Sequence, residues 1–301
     1  MLSIIFVNYN TSHQIETCLK SIEEFEKNYR DYEYIIIDNH SADIGLKKLN
    51  SRFPYLKIIC APKNGGFAYG NNLGIESAKG DILFLLNPDT CIKDNSIEKL
   101  LTKITLDNNL SFIGPQLLFP DGTNQSFFEP KSYLTLWRLF CERIFLHRIF
   151  KKFRLFNSYF KTYMNYNEPH YVEQLGGAAL MFRRDVINKI GRMDETFFMY
   201  FEESDWCFRA VNADLKLLYY PEAKIIHEGG LIKEGNWERS SHDYLISFKY
   251  YFEKNFGKGH YIVAYCLFLL GTLIRATGLF LFDREKSGYY FYYLKFMLGF
   301  K

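Results

Sequence analysis

Asp81-Ile-Leu-Phe-Leu-Leu-Asn-Pro-Asp-Thr90 is the stretch from which the fold is read. Ile82 to Leu86 form an unbroken apolar run, the pattern of a strand buried on both faces. Pro88 has no amide proton to give a neighbouring strand, so the chain must turn there. The turn leaves Asp89 at the carboxyl end of a buried strand, the edge where open α/β sheets collect ligands. Two roles suit a carboxylate at that place. It can cap the next helix, or hold Mg²⁺ or Mn²⁺ against a diphosphate, since hard oxygen ligands and phosphates share these ions.

Upstream, strands and helices alternate. Leu2 to Val7 reads as a buried strand, and Asn8-Tyr9-Asn10-Thr11-Ser12 as turn and cap residues before a helix carrying Ile15, Leu19, Ile22 and Phe25. Tyr34 to Ile37 is a second strand, ending in Asp38-Asn39-His40-Ser41-Ala42-Asp43. Leu56 to Cys60 is a third. Pro62-Lys-Asn-Gly-Gly66 then opens a helix from about Phe67 to Lys79, with Gly80 as its closing residue. Such alternation predicts a parallel, Rossmann-like half-sheet. Three loops, 8–11, 38–43 and 87–89, then converge on one edge. Asp38 suits a contact to a pyrimidine imide or ribose, or ordinary turn chemistry. Asn64-Gly65-Gly66 would let backbone amides approach a phosphate at a helix N-terminus, although it matches neither GxGxxG nor a Walker loop.

Downstream, the spacing predicts a helix over 95–109, a strand over 113–119 and a turn at Pro120-Asp-Gly122. Tyr133 to Tyr163 is aromatic and basic, with Trp137, Phe140, Phe145, Phe150, Phe153 and Phe156 among Arg138, Arg143, Arg148, Lys151, Lys152, Arg154 and Lys161. It suits either the interface of an anionic membrane or a helical hairpin packed on the core. Gly176-Gly177 would let backbone lie against a sugar. Strands are expected at 180–182, 216–220 and 225–227, and helices at 185–190 and 240–257. Glu202-Glu203-Ser204-Asp205 sets three acids at a helix start. They suit the helix dipole or a general base, and Arg209 is spaced to pair with Asp205. His227 closes the last strand as a structural hydrogen-bonding residue or a metal ligand. Tyr261 to Phe282 is long enough to cross a bilayer. Arg275 within it favours an embedded or interfacial helix, and Tyr289 to Phe296 with Lys295 and Lys301 suits headgroup anchoring.

The chain has 301 residues and a formal net charge of +3, with none of the basic excess of a nucleic-acid binder. Six scattered cysteines without a CxxC pair read as reduced thiols in a cytosolic protein. Met1 to Val7 runs straight into a strand, so no signal peptide is expected.

Taken in order, eight motifs resemble glycosyltransferase family 2, in its rhamnosyltransferase-like branch. They are Val7-Asn-Tyr-Asn10; Asp38-Asn39-x-Ser41-x-Asp43; Asn64-Gly-Gly-Phe-Ala68 with Asn71-Asn72-x-Gly74; Leu86-Asn-Pro-Asp-Thr90; Gly176-Gly-Ala178; Asp194-Glu-x-Phe-Phe198; Glu202-Glu203-x-Asp205; and His227. The resemblance spans about residues 1–257. It implies a GT-A fold, a Rossmann-like mixed sheet flanked by helices, with a nucleotide-binding half at 1–110 and an acceptor half at 111–257. A basic aromatic helical insert would occupy 133–163, and an aromatic-rich helical membrane-associating tail 258–301.

The same resemblance implies a hexosyl transfer with inversion from a nucleotide-sugar donor, assisted by Mg²⁺ or Mn²⁺. Asn8, Tyr9, Asn10, Asp38, Asn39, Asn64, Gly65, Asn71, Asn87, Gly176 and Gly177 would line the donor site. Asp89 and His227 would bind metal, with Asn87 standing where the family's Asp-x-Asp motif begins. Glu203 would be the base, with Glu202 and Asp205 in reserve. The branch points to dTDP-L-rhamnose, with UDP-sugars as alternatives. Its acceptor would be a lipid-linked saccharide in O-antigen, capsule or wall polysaccharide assembly, at the cytoplasmic face of a bacterial inner membrane. A nucleotidyltransferase would instead carry a Gly-rich basic loop after the first strand, and an inactive membrane scaffold would have no use for Asp89, Glu203 and His227.

Overall fold

The computed structural model describes residues 1–125, 131–229, 237–280 and 282–299. The chain divides into two compact units. One comprises Met1–Lys131 with Asn165–Asn236, the other Ser132–Met164 with Trp237–Lys301.

The first unit is built on nine strands. They are β1 (Leu2–Asn8), β2 (Glu33–Asp38), β3 (Leu56–Cys60), β4 (Ile82–Leu86), β5 (Thr90–Ile92), β6 (Leu110–Leu118), β7 (His170–Val172), β8 (Ala179–Arg183) and β9 (Lys216–His227). They run in the order β3-β2-β1-β4-β8-β6-β9-β5, with β7 also on β9. β3, β2, β1 and β4 are parallel, as the alternation predicts. β8 joins antiparallel to both β4 and β6, so the whole sheet is mixed. The apolar run of β4 divides by pleat. Ile82, Phe84 and Leu86 enter one core cluster, and Leu83 and Leu85 the other.

Helices α1 (Ser12–Phe25), α2 (Gly45–Arg52), α3 (Gly66–Ser77), α4 (Ser96–Leu106), α7 (Val186–Ile190) and α8 (Glu202–Asn212) belong to this unit. On α3, Gly74 lets the helix lie directly on β1, where an added Cβ would stand 2.3 Å from Ile5 Cγ2. Arg183 and Arg184 close two helix ends. Arg183 donates to the carbonyls of Ile104, Asp107 and Leu110, and Arg184 to those of Ile75, Ala78 and Gly80. Carbonyls orphaned at helix C-termini find these planar cations instead of water.

Several boundaries differ from the sequence reading. α3 ends at Ser77 with Ala78 extended, and Gly80 is not in the left-handed conformation of a helix-closing glycine. The strands expected at 216–220 and 225–227 are one strand, β9, with a register shift where Tyr220 and Lys224 face successive β6 residues. Pro221 sits in that irregularity, where a missing amide is tolerated. The short elements β5, β7 and α2 carry too few residues to show a periodicity of their own.

In the second unit the basic insert is helical only at α5 (Leu136–Arg143) and α6 (Leu146–Ile149), and the rest is turns. Three long helices complete the unit: α9 (Trp237–Phe256), α10 (Lys258–Phe280) and α11 (Arg284–Met297). Among the described residues α10 is the one helix long and apolar enough to cross a membrane, with a mean hydropathy of 1.8 and a third of its apolar window buried. Arg275, the charge that interrupts it, is buried inside the unit. It pairs with Glu142 at 2.7 Å, donates to the carbonyl of Arg143 and lies 4.5 Å from the Phe145 ring centroid. Arg143 sits 3.7 Å over Phe268, beside Gly271. Insert and C-terminal helices are thus joined by cations desolvated against rings and carboxylates.

Candidate active site

The acidic end of the site forms where two distant segments are held in register. β5 pairs antiparallel with β9, setting Thr90 opposite His227, and the Glu228 amide donates to the Asp89 carbonyl at 3.0 Å. Asp89 Oδ1 and His227 Nε2 consequently stand 3.5 Å apart. Behind the ring, His227 Nδ1 lies 3.0 Å from Gln125 Oε1, and Gln125 Nε2 donates to the His227 and Leu118 carbonyls. Reversing the Gln125 amide would set its oxygen against two carbonyls, so this network fixes its orientation. An amide oxygen only accepts, so Nδ1 is the nitrogen that donates to Gln125, and Nε2 is the one turned toward Asp89. Adjacent positions around an octahedral Mn²⁺ or Mg²⁺ lie about 3 Å apart for the usual bond lengths. The carboxylate–imidazole pair therefore fits one edge of such an ion, and Gln125 occupies the supporting place that orients a metal-bound histidine. Among the described residues no group of three or more His, Cys, Asp or Glu gathers. The remaining positions would fall to ligand oxygens and water. A cleft of about 230 Å³ adjoins Asp89, lined also by His13, Gln14, Thr17, Pro88 and Glu228.

The second loop is organised by Asn8, which is fully buried at the end of β1. Its Nδ2 donates to Asp38 Oδ1 at 3.0 Å and Ser41 Oγ at 2.9 Å, and its Oδ1 accepts the Thr11 amide at 3.0 Å. Ser41 also donates to Asp38 Oδ1, so that oxygen is held from three sides. Asn10 is left-handed and accepts the Ala42 amide, tying the two loops together. Tyr9 stands exposed at the rim.

Asn39, Asn64 and Gly65 form a closed knot. Asn39 Nδ2 donates to Asn64 Oδ1 and the Gly66 carbonyl, while the Gly65 and Gly66 amides go to Asn39 and Asn64 side chains. The Phe67 amide donates to the Phe198 carbonyl at 3.0 Å. These three amides are engaged internally and do not form the phosphate cradle that the glycine pair suggested. Gly66 is needed for another reason. Its φ is +86°, and an added Cβ would stand 2.1 Å from Phe198 O. Asn71 donates to the Phe67 carbonyl within its own helix. Asn72, beside it, donates to Met193 O and Glu195 Oε1, holding the 193–198 loop.

That loop delivers the acidic helix α8. Tyr200 and Phe201 both take left-handed conformations before Glu202, at φ +70° and +67°. Bulky residues occupy that region only under constraint, and such strain gathers at functional sites. Glu202 is buried, and its Oε2 has no hydrogen-bond partner among the described residues. Burial, and then the neighbouring Glu203, push the Glu202 carboxyl well above the ordinary range. Burial also raises Glu203, against backbone hydrogen bonds and the nearby Lys131 cation. Burial thus pushes both acids toward the protonated form, and more strongly Glu202, which has Glu203 beside it where Glu203 has the Lys131 cation. Asp205 is fully buried and pairs with Arg209 at 2.9 Å, as its spacing predicts. Arg209 passes on to the Ile190 and Arg192 carbonyls, which makes Asp205 a brace for α8.

The turn at 176–178 links the acidic groups. Asn87 donates its amide to Ala178 O at 2.8 Å, and a Cβ on Gly177 would touch Phe67 and lie 3.7 Å from Glu203 Cβ. Gln174, just before it, donates to Ser204 at 2.7 Å. Gln125 and Gln174 escaped the sequence reading, which held Asn72 and Phe198 only as motif members without a role of their own. Glutamine and a backbone carbonyl carry no motif of their own, and their partners lie far along the chain.

Comparison with known proteins matches this architecture. The hexosyltransferase Agl10 of low-salt glycan biosynthesis in Haloferax volcanii is 28% identical over 222 residues, 72% of this chain but only 63% of that protein. An N-acetylglucosaminyl-diphospho-decaprenol L-rhamnosyltransferase of Mycobacterium tuberculosis is 24% identical over 241 residues, 75% of this chain and 76% of the relative. Among solved structures, mannosyltransferase PcManGT from Pyrobaculum calidifontis, in complex with GDP-Man and Mn²⁺, superposes with a TM-score of 0.59 at 11% identity. That match covers 99% of this chain and 86% of the other, and it establishes the GT-A fold that the motifs implied. The model of glycosyl transferase family 2 matches residues 3–191, well over half of the chain. On that match and this fold, the chain belongs to glycosyltransferase family 2.

Proposed function

We propose that the chain is an inverting glycosyltransferase that moves L-rhamnose from dTDP-rhamnose to a lipid-linked saccharide at the cytoplasmic face of a bacterial membrane. The observation that carries the transferase reading is the oriented Asp89–His227 pair, 3.5 Å apart. The rhamnosyl donor and lipid-linked acceptor rest on the mycobacterial relative's name and on the branch that the motifs resemble.

Asp38, held by Asn8 and Ser41, accepts a hydrogen bond from the ribose or base of the donor. Asp89 and His227 would hold a divalent ion, which when bound would offset the charge of the leaving diphosphate. Glu203 takes the proton of an acceptor hydroxyl as that oxygen bonds to the sugar C1. The C1–O bond to the diphosphate breaks on the opposite face, and the configuration inverts. Glu202, beside it, is the acid that burial holds more strongly toward the protonated form.

Two measurements test this. A thermal-shift panel of dTDP-rhamnose and UDP-sugars, with and without Mn²⁺, reports donor binding as native-state stabilisation. A metal-dependent shift confined to dTDP-rhamnose is expected. A shift with UDP-sugars alone replaces the donor but keeps the chemistry, and no shift from folded protein sinks the transferase reading. Turnover should fall by about 10²–10⁴-fold in Glu203→Gln with donor binding retained. Glu202→Gln, which mimics the protonated acid already there, should lose less than about tenfold. Equal losses in both variants would remove Glu203 as the base.

A further inference from the structure

Within the second unit, one segment has a surface that its packing uses only in part and the transfer chemistry not at all. Arg148-Ile-Phe-Lys-Lys-Phe-Arg-Leu155 is exposed at every position. Ile149 is 68% exposed, Phe153 62%, Leu155 63% and Phe150 37%. The other four residues are the cations Arg148, Lys151, Lys152 and Arg154, and no acid occurs between Glu142 and Glu168. Single apolar residues on a surface are ordinary, but four interleaved with four cations form a patch with a purpose.

The tip is held in shape from beneath. Asn157 is fully buried and donates to the Lys151 carbonyl at 2.7 Å, and to Thr162. Trp137 donates its indole N–H to the Leu155 carbonyl at 2.9 Å. The Phe156 ring lies tilted against Phe150 at 4.9 Å between centroids, with Phe153 edge-on to Phe150 at 5.9 Å. Leu139, Cys141 and His147 of the same insert face inward and are buried. A packed hairpin accounts for those three residues and leaves the eight of the tip unexplained. The fold therefore presents the apolar side chains outward on an anchored loop.

We propose that the Arg148–Leu155 tip docks on an anionic lipid bilayer. Ile149, Phe150, Phe153 and Leu155 enter between headgroups while Arg148, Lys151, Lys152 and Arg154 meet lipid phosphates. The charge argues for this occupant. Cations flanking an apolar wedge match the layered chemistry of an anionic interface, phosphate outside and acyl chain within. A nucleic acid would use the cations and leave the wedge in water. The proposal deepens the membrane-acceptor reading by naming the surface partner, yet it stands on the second unit alone.

The test uses the full chain and vesicles of phosphatidylcholine with or without phosphatidylglycerol. Because α10 can bind both kinds of vesicle, the readout is the ratio of the two partition coefficients. Joint charge reversal of Lys151, Lys152 and Arg154 to Glu should lower that ratio at least about tenfold, since each basic residue near such a surface contributes separately. Phe153→Trp, bound to anionic vesicles of brominated lipid, should lose fluorescence relative to the parent with its native tryptophans. An unchanged ratio in the reversal variant, or a Phe153→Trp signal untouched by brominated lipid, would overturn the proposal, as would burial of the tip in a dimer by sedimentation. Thermal shifts with nucleotide and Mn²⁺ should be the same in parent and tip variants. Their absence in the parent would count against the transferase reading and leave the docking result intact.

Discussion

Gln125 offers a test of the metal site that separates geometry from fold. Its side chain grips His227 twice, accepting from Nδ1 at 3.0 Å and donating to the His227 carbonyl. Gln125→Leu removes both contacts at a site only 1% exposed. The imidazole then loses the partner that sets its tautomer, and outer partners of this kind are worth about 10–100-fold in metal affinity. That range is about 1.4–2.7 kcal/mol of binding free energy. The buried His227 carbonyl also loses a donor, so unfolding free energy should fall by about 1–3 kcal/mol. Gln125→Glu separates the two effects. Its carboxylate still accepts from Nδ1–H, which holds the tautomer and strengthens the ligand, but it cannot donate to the carbonyls. Mn²⁺ affinity should be retained or rise while stability falls as in the Leu variant. Electron paramagnetic resonance titration of Mn²⁺ with nucleoside diphosphate gives the first quantity and urea unfolding the second. If Gln125→Leu binds Mn²⁺ within about twofold of the parent while folded, the orienting role is wrong. If Leu and Glu variants lose affinity equally, Gln125 is only a packing residue.

Glu26 is buried under the N-terminus of α4, where its oxygens accept the Ile97 and Glu98 amides, and burial raises its pKa to about 7. A raised acid contributes stability below its unfolded value that is lost as pH rises through about 7. The parent should thus lose up to about 3 kcal/mol relative to Glu26→Gln between pH 5 and 8, and parallel urea midpoints across that range would contradict this. Gly66→Ala forces a side chain into a left-handed residue against Phe198 O. It should cost at least about 2 kcal/mol and weaken turnover by moving the 193–198 loop; a melting temperature equal to the parent's would refute the contact. Arg275→Leu takes the 2.7 Å partner from Glu142 Oε1 and leaves the carboxylate only Arg143, 2.8 Å from Oε2. Loss of one member of a buried pair costs about 3 kcal/mol, read as early proteolysis within 132–164 and 237–301, and unchanged protection there would count against the pair.

Much of the site was legible because its signals are short-range. A five-residue apolar run ended by Asn87-Pro88 marks both the buried strand and the turn carrying Asp89. The ends of β1 and β2 announced themselves in the same way through Asn8 and Asp38. Where local signals are weak, the reading slipped. Gly80 looked like a helix stop, yet it is not left-handed and is packed against Ser3 and Met1 O, where an added Cβ would stand 2.6–2.7 Å from them. The glycine pair at 65–66 looked like a phosphate cradle, but its amides are engaged by Asn39 and Asn64.

By itself the sequence determined the alternation of elements, the parallel half-sheet and the identity of the acids, because periodicity and turn chemistry act over a few residues. Tertiary structure alone decided that Asp89 faces His227, and that Gln125 rather than an acid stands behind the ring. It likewise decided that Glu202 is buried with its Oε2 unsatisfied among the described residues, and that Arg275 is drawn inward to Glu142 while the 148–155 tip is left in solvent. Each of these outcomes depends on strand register or helix packing between segments far apart in the chain. A side chain's partner there is chosen by which backbone the sheet brings alongside, and no local pattern encodes that.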